Sequence, residues 1–350
     1  MEKEKLLKVL NNNNIGYCEL RISKAVQLVA IERGGRIIGI YDEEANQNLL
    51  WTAQALEKEK EAVELLGGTV WNTGGDRLWF GPEIRYSVSD RTRFWETLHT
   101  PEAIDPGNYQ LTKNSEACIL HQKIKLCTKD GSNEAVDFHV NRTIMKSENP
   151  LRNNINFQEL MKEVEFGGFT QRVCLQGKGS SVEGWSLLQV IPRGTIYIPM
   201  TQVQKGVNYY EPVGELEHVQ QTGIALEATG NRRYKVGYKA ERVIGRLGYT
   251  CRWNNKNCLL IRNFPNDPAG NYEEEPPFLP GEKGFSVHVY NDDGNSGGFT
   301  EIECSLPAVF GKTGRDSSDD TISTWIFTGS ELSLKEIGYL LLGCEVNFKY

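Results

Sequence analysis

Residues 135–145 read Ala135-Val136-Asp137-Phe138-His139-Val140-Asn141-Arg142-Thr143-Ile144-Met145, and their character alternates at every step. Val136, Phe138, Val140 and Ile144 share one parity, with Arg142 among them; Asp137, His139, Asn141 and Thr143 share the other. A period of two belongs to a strand with one buried face, because successive side chains of extended backbone point to opposite sides. Upstream, Ala117 to Leu126 reads the same way, across a turn rich in Lys, Asp, Gly and Asn. Nearer the start, Cys18, Leu20 and Ile22, then Val26, Leu28 and Ala30, keep one parity until Gly34-Gly35 signals a turn before Ile37-Ile38-Gly39-Ile40.

Further strands are predicted at 109–112, 173–175, 184–190, 195–199, 247–252, 258–264, 285–290, 299–305 and 321–328. Three helices are predicted. One spans 2–10, one spans 54–66 with Gly67-Gly68 as its stop, and one lies near the C-terminus with Ser333 as N-cap and Glu336 completing a capping box. The polar stretches 266–277 and 311–320 read as loops. Thirty-five Gly and 13 Pro are scattered without a repeat, as many short turns require. The reading is an all-β sandwich in one domain over 1–350, with a 1–14 extension and a 331–350 helix and tail.

The chain has 39 Lys+Arg against 46 Asp+Glu, a net charge of −7, which gives no basic footprint for nucleic acid and none for an anionic membrane. No stretch approaches the ~18 apolar residues of a membrane span. Met1 to Leu7 alternates charges and lacks the apolar core of a secretory leader, and the eight cysteines show no CxxC. Together these features predict reduced thiols and a cytoplasmic protein. Gly311-Lys312-Thr313 fails as a phosphate loop because Leu306 stands where its first Gly belongs. Gly179-Ser180-Ser181-Val182-Glu183 fails as a nucleophile elbow at Glu183. Zinc spacings are missing too, so no metal site and no cofactor is read from the motifs; whether a metal joins Asp76, Glu83 and a histidine stays open.

The stretch from Trp71 to Glu83 concentrates the remaining chemistry: Trp71, Asp76, Arg77, Trp79, Phe80 and Glu83 lie around Gly74-Gly75. Indole faces suit the C–H faces of a pyranose, and carboxylates and a guanidinium suit its hydroxyls. Glu301 and Glu303 share one strand face with Cα atoms about 6.5–7 Å apart, close enough for one to become a base or acid. Trp185 and Gln189 could offer a platform and an amide from one strand. His139 and His99 are the candidate histidines. A sugar or oligosaccharide is therefore the expected ligand; the oligomeric state stays open.

The order of Gly34-Gly35-Arg36-Ile37, Asn48-Leu49-Leu50-Trp51, Gly74-Gly75-Asp76-Arg77-Leu78-Trp79, Trp185-Ser186-Leu187, Ile198-Pro199 and Glu301-Ile302-Glu303 resembles the galactose mutarotase-like (aldose 1-epimerase) superfamily. The resemblance runs from about Gly16 to Phe327 and is to an uncharacterised branch. It implies a β-supersandwich with a broad, open carbohydrate cleft. It also implies a late-strand glutamate, here Glu303, that takes the proton of the anomeric hydroxyl, and a histidine that protonates the ring oxygen. Thr73 and Gln189 stand where the resemblance puts histidines, which leaves His139 or His99 to enter the cleft from another strand. The catalytic candidates are thus Glu303 and His139. The substrate-binding candidates are Trp71, Asp76, Arg77, Trp79, Glu83, His99, Trp185, Gln189 and Glu301. Two other readings stay open: a non-catalytic glycan-binding module, and a hydrolase or lyase pairing Glu301 or Glu303 with Glu83 or Asp76.

Overall fold

A computed structural model describes residues 1–43 and 47–348, so the end of the expected C-terminal tail, Lys349 and Tyr350, lies outside the described residues. In chain order the first strands are β1 (Tyr17–Arg21), β2 (Val26–Ile31), β3 (Arg36–Asp42), β4 (Asp76–Gly81), β5 (Gln110–Lys113), β6 (Ala117–Cys127) and β7 (Ala135–Lys146). Next come β8 (Val164–Gly179), β9 (Glu183–Val190), β10 (Gly194–Pro199), β11 (Val207–Asn208), β12 (Glu217–Gln220) and β13 (Gly223–Ala228). The last are β14 (Tyr234–Lys239), β15 (Arg246–Trp253), β16 (Lys256–Asn263), β17 (Phe285–Asn291), β18 (Thr300–Ser305) and β19 (Ser317–Gly329).

They assemble into two antiparallel sheets. One has nine strands in the order β1-β2-β3-β4-β9-β18-β17-β14-β11, the other ten in the order β12-β13-β10-β15-β16-β19-β8-β7-β6-β5. Each sheet draws strands from both halves of the chain. The apolar parity read in 135–145 faces inward: Val136, Phe138, Val140 and Ile144 join Leu78, Leu188, Ile302 and Val289 of the opposite sheet in one core. Two smaller cores lie on the outer faces. Helix Glu331–Leu342 covers Leu259, Ile261, Trp325 and Phe327, and helix Lys3–Asn12 covers Val29, Ile31 and Ile38.

Several expectations need correction. The C-terminal helix is capped by Ser330, whose hydroxyl accepts from the Ser333 amide, so the cap lies one turn earlier than the sequence suggested. The helix expected over 54–66 divides at Lys58 into a tight turn, Gln54–Glu57, and a helix, Glu59–Gly67. Residues 317–320 extend β19 instead of forming a loop. Strand β4 and the strands over 207–239 escape the sequence pattern, because glycines and charges interrupt their alternation.

Cys18 and Cys118 form a disulfide between β1 and β6, against the expectation of reduced thiols. A structural disulfide is the chemistry of an oxidising compartment, so the cysteines no longer argue for the cytoplasm. The bond closes a separation of 100 residues, and replacing both cysteines by serine should lower stability by about 2–4 kcal/mol in urea unfolding. Unfolding midpoints that agree with and without reductant would contradict this. Among the described residues, no helix is long and apolar enough to cross a membrane.

Candidate functional site

The site grows from the outward face of the nine-stranded sheet. Gly74 and Gly75 bring the chain into β4 at φ +104° and +85°, and a Cβ on Gly75 would lie 2.2 Å from the Ile37 carbonyl oxygen. The glycine pair thus lets β4 begin hard against β3. From there parity decides everything. Residues paired directly across a sheet project to the same side. Arg77 is opposite Leu187, which is opposite Glu303, which is opposite His288. Trp79 is opposite Trp185; Gln189, Glu301, Tyr290 and Lys235 form the next row. One face of β4, β9, β18, β17 and β14 therefore gathers Arg77, Trp79, Trp185, Gln189, Glu301, Glu303, His288, Tyr290 and Lys235.

These side chains hold one another closely. Arg77 Nη2 donates to Glu301 Oε1 at 2.7 Å, and its guanidinium lies 4.3 Å from the Trp79 ring and 4.9 Å from the Trp71 ring. Trp185 Nε1 donates to Glu303 Oε2 at 2.9 Å, while Lys235 Nζ stands 3.6 Å from the same oxygen and 4.4 Å from the Trp185 ring. Gln189 Nε2 donates to Asn72 Oδ1 at 2.9 Å. His288 Nε2 pairs with the Tyr209 hydroxyl at 2.9 Å. Glu303 is 0% exposed and Arg77 1%, whereas Trp71, Asn72, Glu83, Tyr210 and Tyr290 are half-buried. The expected broad, open cleft is instead a covered floor with a half-exposed rim.

Four buried atoms on β4, β9 and β18 have no hydrogen-bond partner among the described residues: Glu303 Oε1, Gln189 Oε1, and Nε and Nη1 of Arg77. His288 Nδ1, further along the same floor, shares that condition. Buried polar groups are normally paired, and each orphan costs of order 1–3 kcal/mol. Two acceptors and two donors left open on three adjacent strands can be met by ordered water or by a ligand carrying both kinds of group.

Burial pushes the Glu303 carboxyl up to about 7; Lys235 opposes the rise, and Glu301 and Glu83 add to it. Glu274, whose carboxylate accepts from the Glu83 amide, is pushed to about 8 by burial and by Glu83, again against Lys235. Burial works against the Lys235 ammonium, yet Glu303, Glu83, Glu274 and Glu301 together outweigh it and raise its pKa. Burial and then Lys235 hold His288 neutral, well below its ordinary value. Burial thus raises Glu303 and Glu274 toward neutral pH in the neighbourhood of two cations, Lys235 and Arg77.

The candidates read from sequence divide accordingly. Arg77, Trp79, Trp185, Gln189, Glu301 and Glu303 come together, with Trp71 and Glu83 at the rim. Trp79 and Trp185 are 6% and 4% exposed, and Arg77 and Lys235 lie over their rings, so neither is an open stacking platform. Asp76 is excluded from the basin, because one step of parity turns it inward. There, fully buried, it accepts from Gln171 at 2.7 Å and pairs with Arg142 and Arg262 at 3.5 Å each. His139 is exposed on the ten-stranded sheet, across the core from Glu303, and His99 is exposed in a loop. Neither enters the site.

Sequence reading missed Lys235, His288, Tyr209, Tyr210 and Glu274. For His288 a signal existed: the strand predicted at 285–290 carries it in antiparallel register with Glu303. A cavity of about 980 Å³, lined by Arg85, Ser181, Glu273 and Glu275 among others, includes none of the floor residues. Among the described residues, no group of three or more His, Cys, Asp or Glu is placed to hold a metal ion.

A family model described as a family of unknown function, DUF6786, matches residues 35–348. No curated protein matches the chain. Similar solved structures include a galactose mutarotase-like protein from Lactobacillus casei ATCC 334, 8% identical over 90% of this chain and 99% of that one, with a TM-score of 0.48. A GalM/aldose epimerase homologue from C. elegans is 8% identical over 91% and 100% of the two chains, with a TM-score of 0.47. Galactose 1-epimerase from Lactobacillus acidophilus NCFM is 10% identical over 90% and 95%, with a TM-score of 0.42.

Proposed function

We propose that this chain, which belongs to the DUF6786 family of unknown function, holds a saccharide ring in the basin over Glu303 and moves a proton at its anomeric centre. The observation that carries this reading is the set of unpaired buried atoms on Glu303, Gln189 and Arg77. A sugar hydroxyl both donates and accepts, so one ring satisfies the carboxylate, the amide oxygen and the guanidinium together. In the proposed reaction Glu303 accepts the proton of the anomeric hydroxyl. Glu274 donates its proton to the ring oxygen as the bond from that oxygen to the anomeric carbon breaks. After the open-chain carbonyl turns, the freed hydroxyl attacks it on either face and gives its proton back to Glu274, while Glu303 returns its own to the new anomeric oxygen. Lys235 stays charged throughout and steadies the carboxylates as protons pass. We also take the two sheets and their covering helices as one domain, since each sheet interleaves strands from distant parts of the chain.

A second reading, a non-catalytic glycan binder, is favoured by Thr73 and Gln189 standing where the sequence resemblance puts histidines. Saturation-transfer NMR with glucose, galactose and glucuronate tests binding, and two-dimensional exchange NMR of the same sugars tests interconversion of anomers. Glu303→Gln should cut the exchange rate about 10²–10⁴-fold while keeping saturation transfer. Arg77→Met should abolish the transfer. A wild-type protein that binds without accelerating exchange is the pure binder; one that receives no transfer from any of these sugars ends the saccharide reading.

A further inference from the structure

The rim of the basin continues into a band of aromatic rings that the single-ring reading leaves unused. Tyr210 lies at its inner end, its ring 5.9 Å from Lys235 Nζ and 6.3 Å from the Tyr290 ring. Glu83 and Glu303 both act on its hydroxyl, which burial first pushes well above the ordinary value. Beside Tyr210 lie Trp95 at 4.6 Å and Phe94 at 6.0 Å; Phe94 is buried beneath the band, and Phe278 lies 6.3 Å from it. Trp95 is 45% exposed and Phe278 60%. The Arg233 guanidinium sits 4.4 Å over the Trp95 ring and is paired with Glu211. Single exposed apolar residues are ordinary. A run of rings edged by a hydrogen-bonding Arg–Glu pair and leading to a half-buried tyrosine at a buried polar floor is not.

We infer that Trp95, Phe278 and Tyr210, with Arg233 and Glu211, form an outer subsite for a second sugar ring, so that the substrate class is an oligosaccharide with a free reducing end rather than a free monosaccharide. The inference rests on the saccharide reading of the basin. Continuity selects this occupant: Tyr210 lies near both the outer rings and Lys235, so a glycan with its reducing-end ring on the floor lays its next ring along the aromatic band. Arg233 covers part of Trp95, so the apolar surface that a pyranose needs comes from the exposed remainder of that ring and from Phe278, with Arg233 and Glu211 as partners for its hydroxyls.

The test compares calorimetric affinities for glucose, galactose and xylose with those for cellotriose, β-1,4-galactotriose and xylotriose. Wild type should bind at least one trisaccharide about tenfold more tightly than its monosaccharide, a margin typical of aromatic stacking. Trp95→Ala/Phe278→Ala should remove that margin and leave the monosaccharide affinity in place. Equal affinity for both lengths, or a margin that survives the double substitution, overturns the outer subsite and leaves the basin reading standing. Light scattering that shows Trp95→Ala/Phe278→Ala dissociating an oligomer, with the margin intact, also overturns it, because the band is then a contact between copies. Binding of no sugar of either length overturns both.

Discussion

Asp76→Ala should destabilise the fold by about 3–5 kcal/mol, the range expected when one partner of a buried ion cluster is removed. Asp76 sits fully buried between the sheets, where Gln171 donates to it at 2.7 Å and Ser186 at 3.3 Å. Arg142 and Arg262, both 0% exposed, stand 3.5 Å from its two oxygens. Arg262 also donates to Ser186 at 2.8 Å, and Arg142 reaches the Gly35 carbonyl at 2.5 Å. Removing the carboxylate leaves two guanidinium groups in the interior with no countercharge in the cluster. Asp76→Asn keeps the shape and part of the hydrogen bonding, and should fall between wild type and alanine. Urea unfolding of the three proteins decides the matter; an alanine variant within about 1 kcal/mol of wild type would mean that the cluster is not holding the sheets together.

The second large effect is on stability against pH. Glu303 and Glu274 titrate in the fold near 7 and 8, above their ordinary 4.5. Between those limits the folded protein holds protons that the unfolded chain has released. Their contribution is therefore complete below about pH 4.5 and is lost as pH rises through 7 to 8, with about 1.4 kcal/mol at stake for every tenfold difference in proton affinity between the folded and unfolded chain. His288 acts with the opposite sign. Held neutral in the fold, it costs stability as pH falls below its ordinary range. The difference between wild type and Glu274→Gln isolates the carboxyl. Glu274→Gln should gain on wild type from pH 5 to pH 8 by on the order of 3–5 kcal/mol, read from urea midpoints. Parallel curves across that window would show that Glu274 ionises normally. Lys235 opposes the rise of both carboxyls, so Lys235→Met should carry the loss to still higher pH.

The strand pattern was legible wherever one face is apolar and the other polar. The run 135–145 announced β7, and it carried a further message in Arg142, the one charged residue on the apolar parity. That residue is one of the two arginines found beside Asp76. The stretch from Trp71 to Glu83 was legible as unusual but not as divided. Once β4 is drawn from Asp76 to Gly81, Arg77 and Trp79 face the basin and Asp76, Leu78 and Phe80 face the core. Composition could not show that, because crowding in sequence says nothing about parity until the strand's start is fixed by Gly74-Gly75.

Lys235 was invisible for a different reason. A lysine in a short strand normally faces water, and only the pairing of β14 with β17 carries it beside Glu303. The exposed histidines stand apart from the floor for two reasons: His99 lies in a loop, and parity alone does not say to which sheet the strand of His139 belongs. His139 lies on the ten-stranded one, with the whole interior between it and the carboxylate.

The charged knot between the sheets has a consequence for how this chain can diverge. Its members come from positions 76, 142, 171, 186 and 262, scattered over more than half the sequence, yet none can lose its polar group without stranding the others. A lineage that loses one must cross a fitness valley or replace several in concert. Homologous chains should therefore carry the set whole or lack it whole, with apolar residues of like volume in its stead.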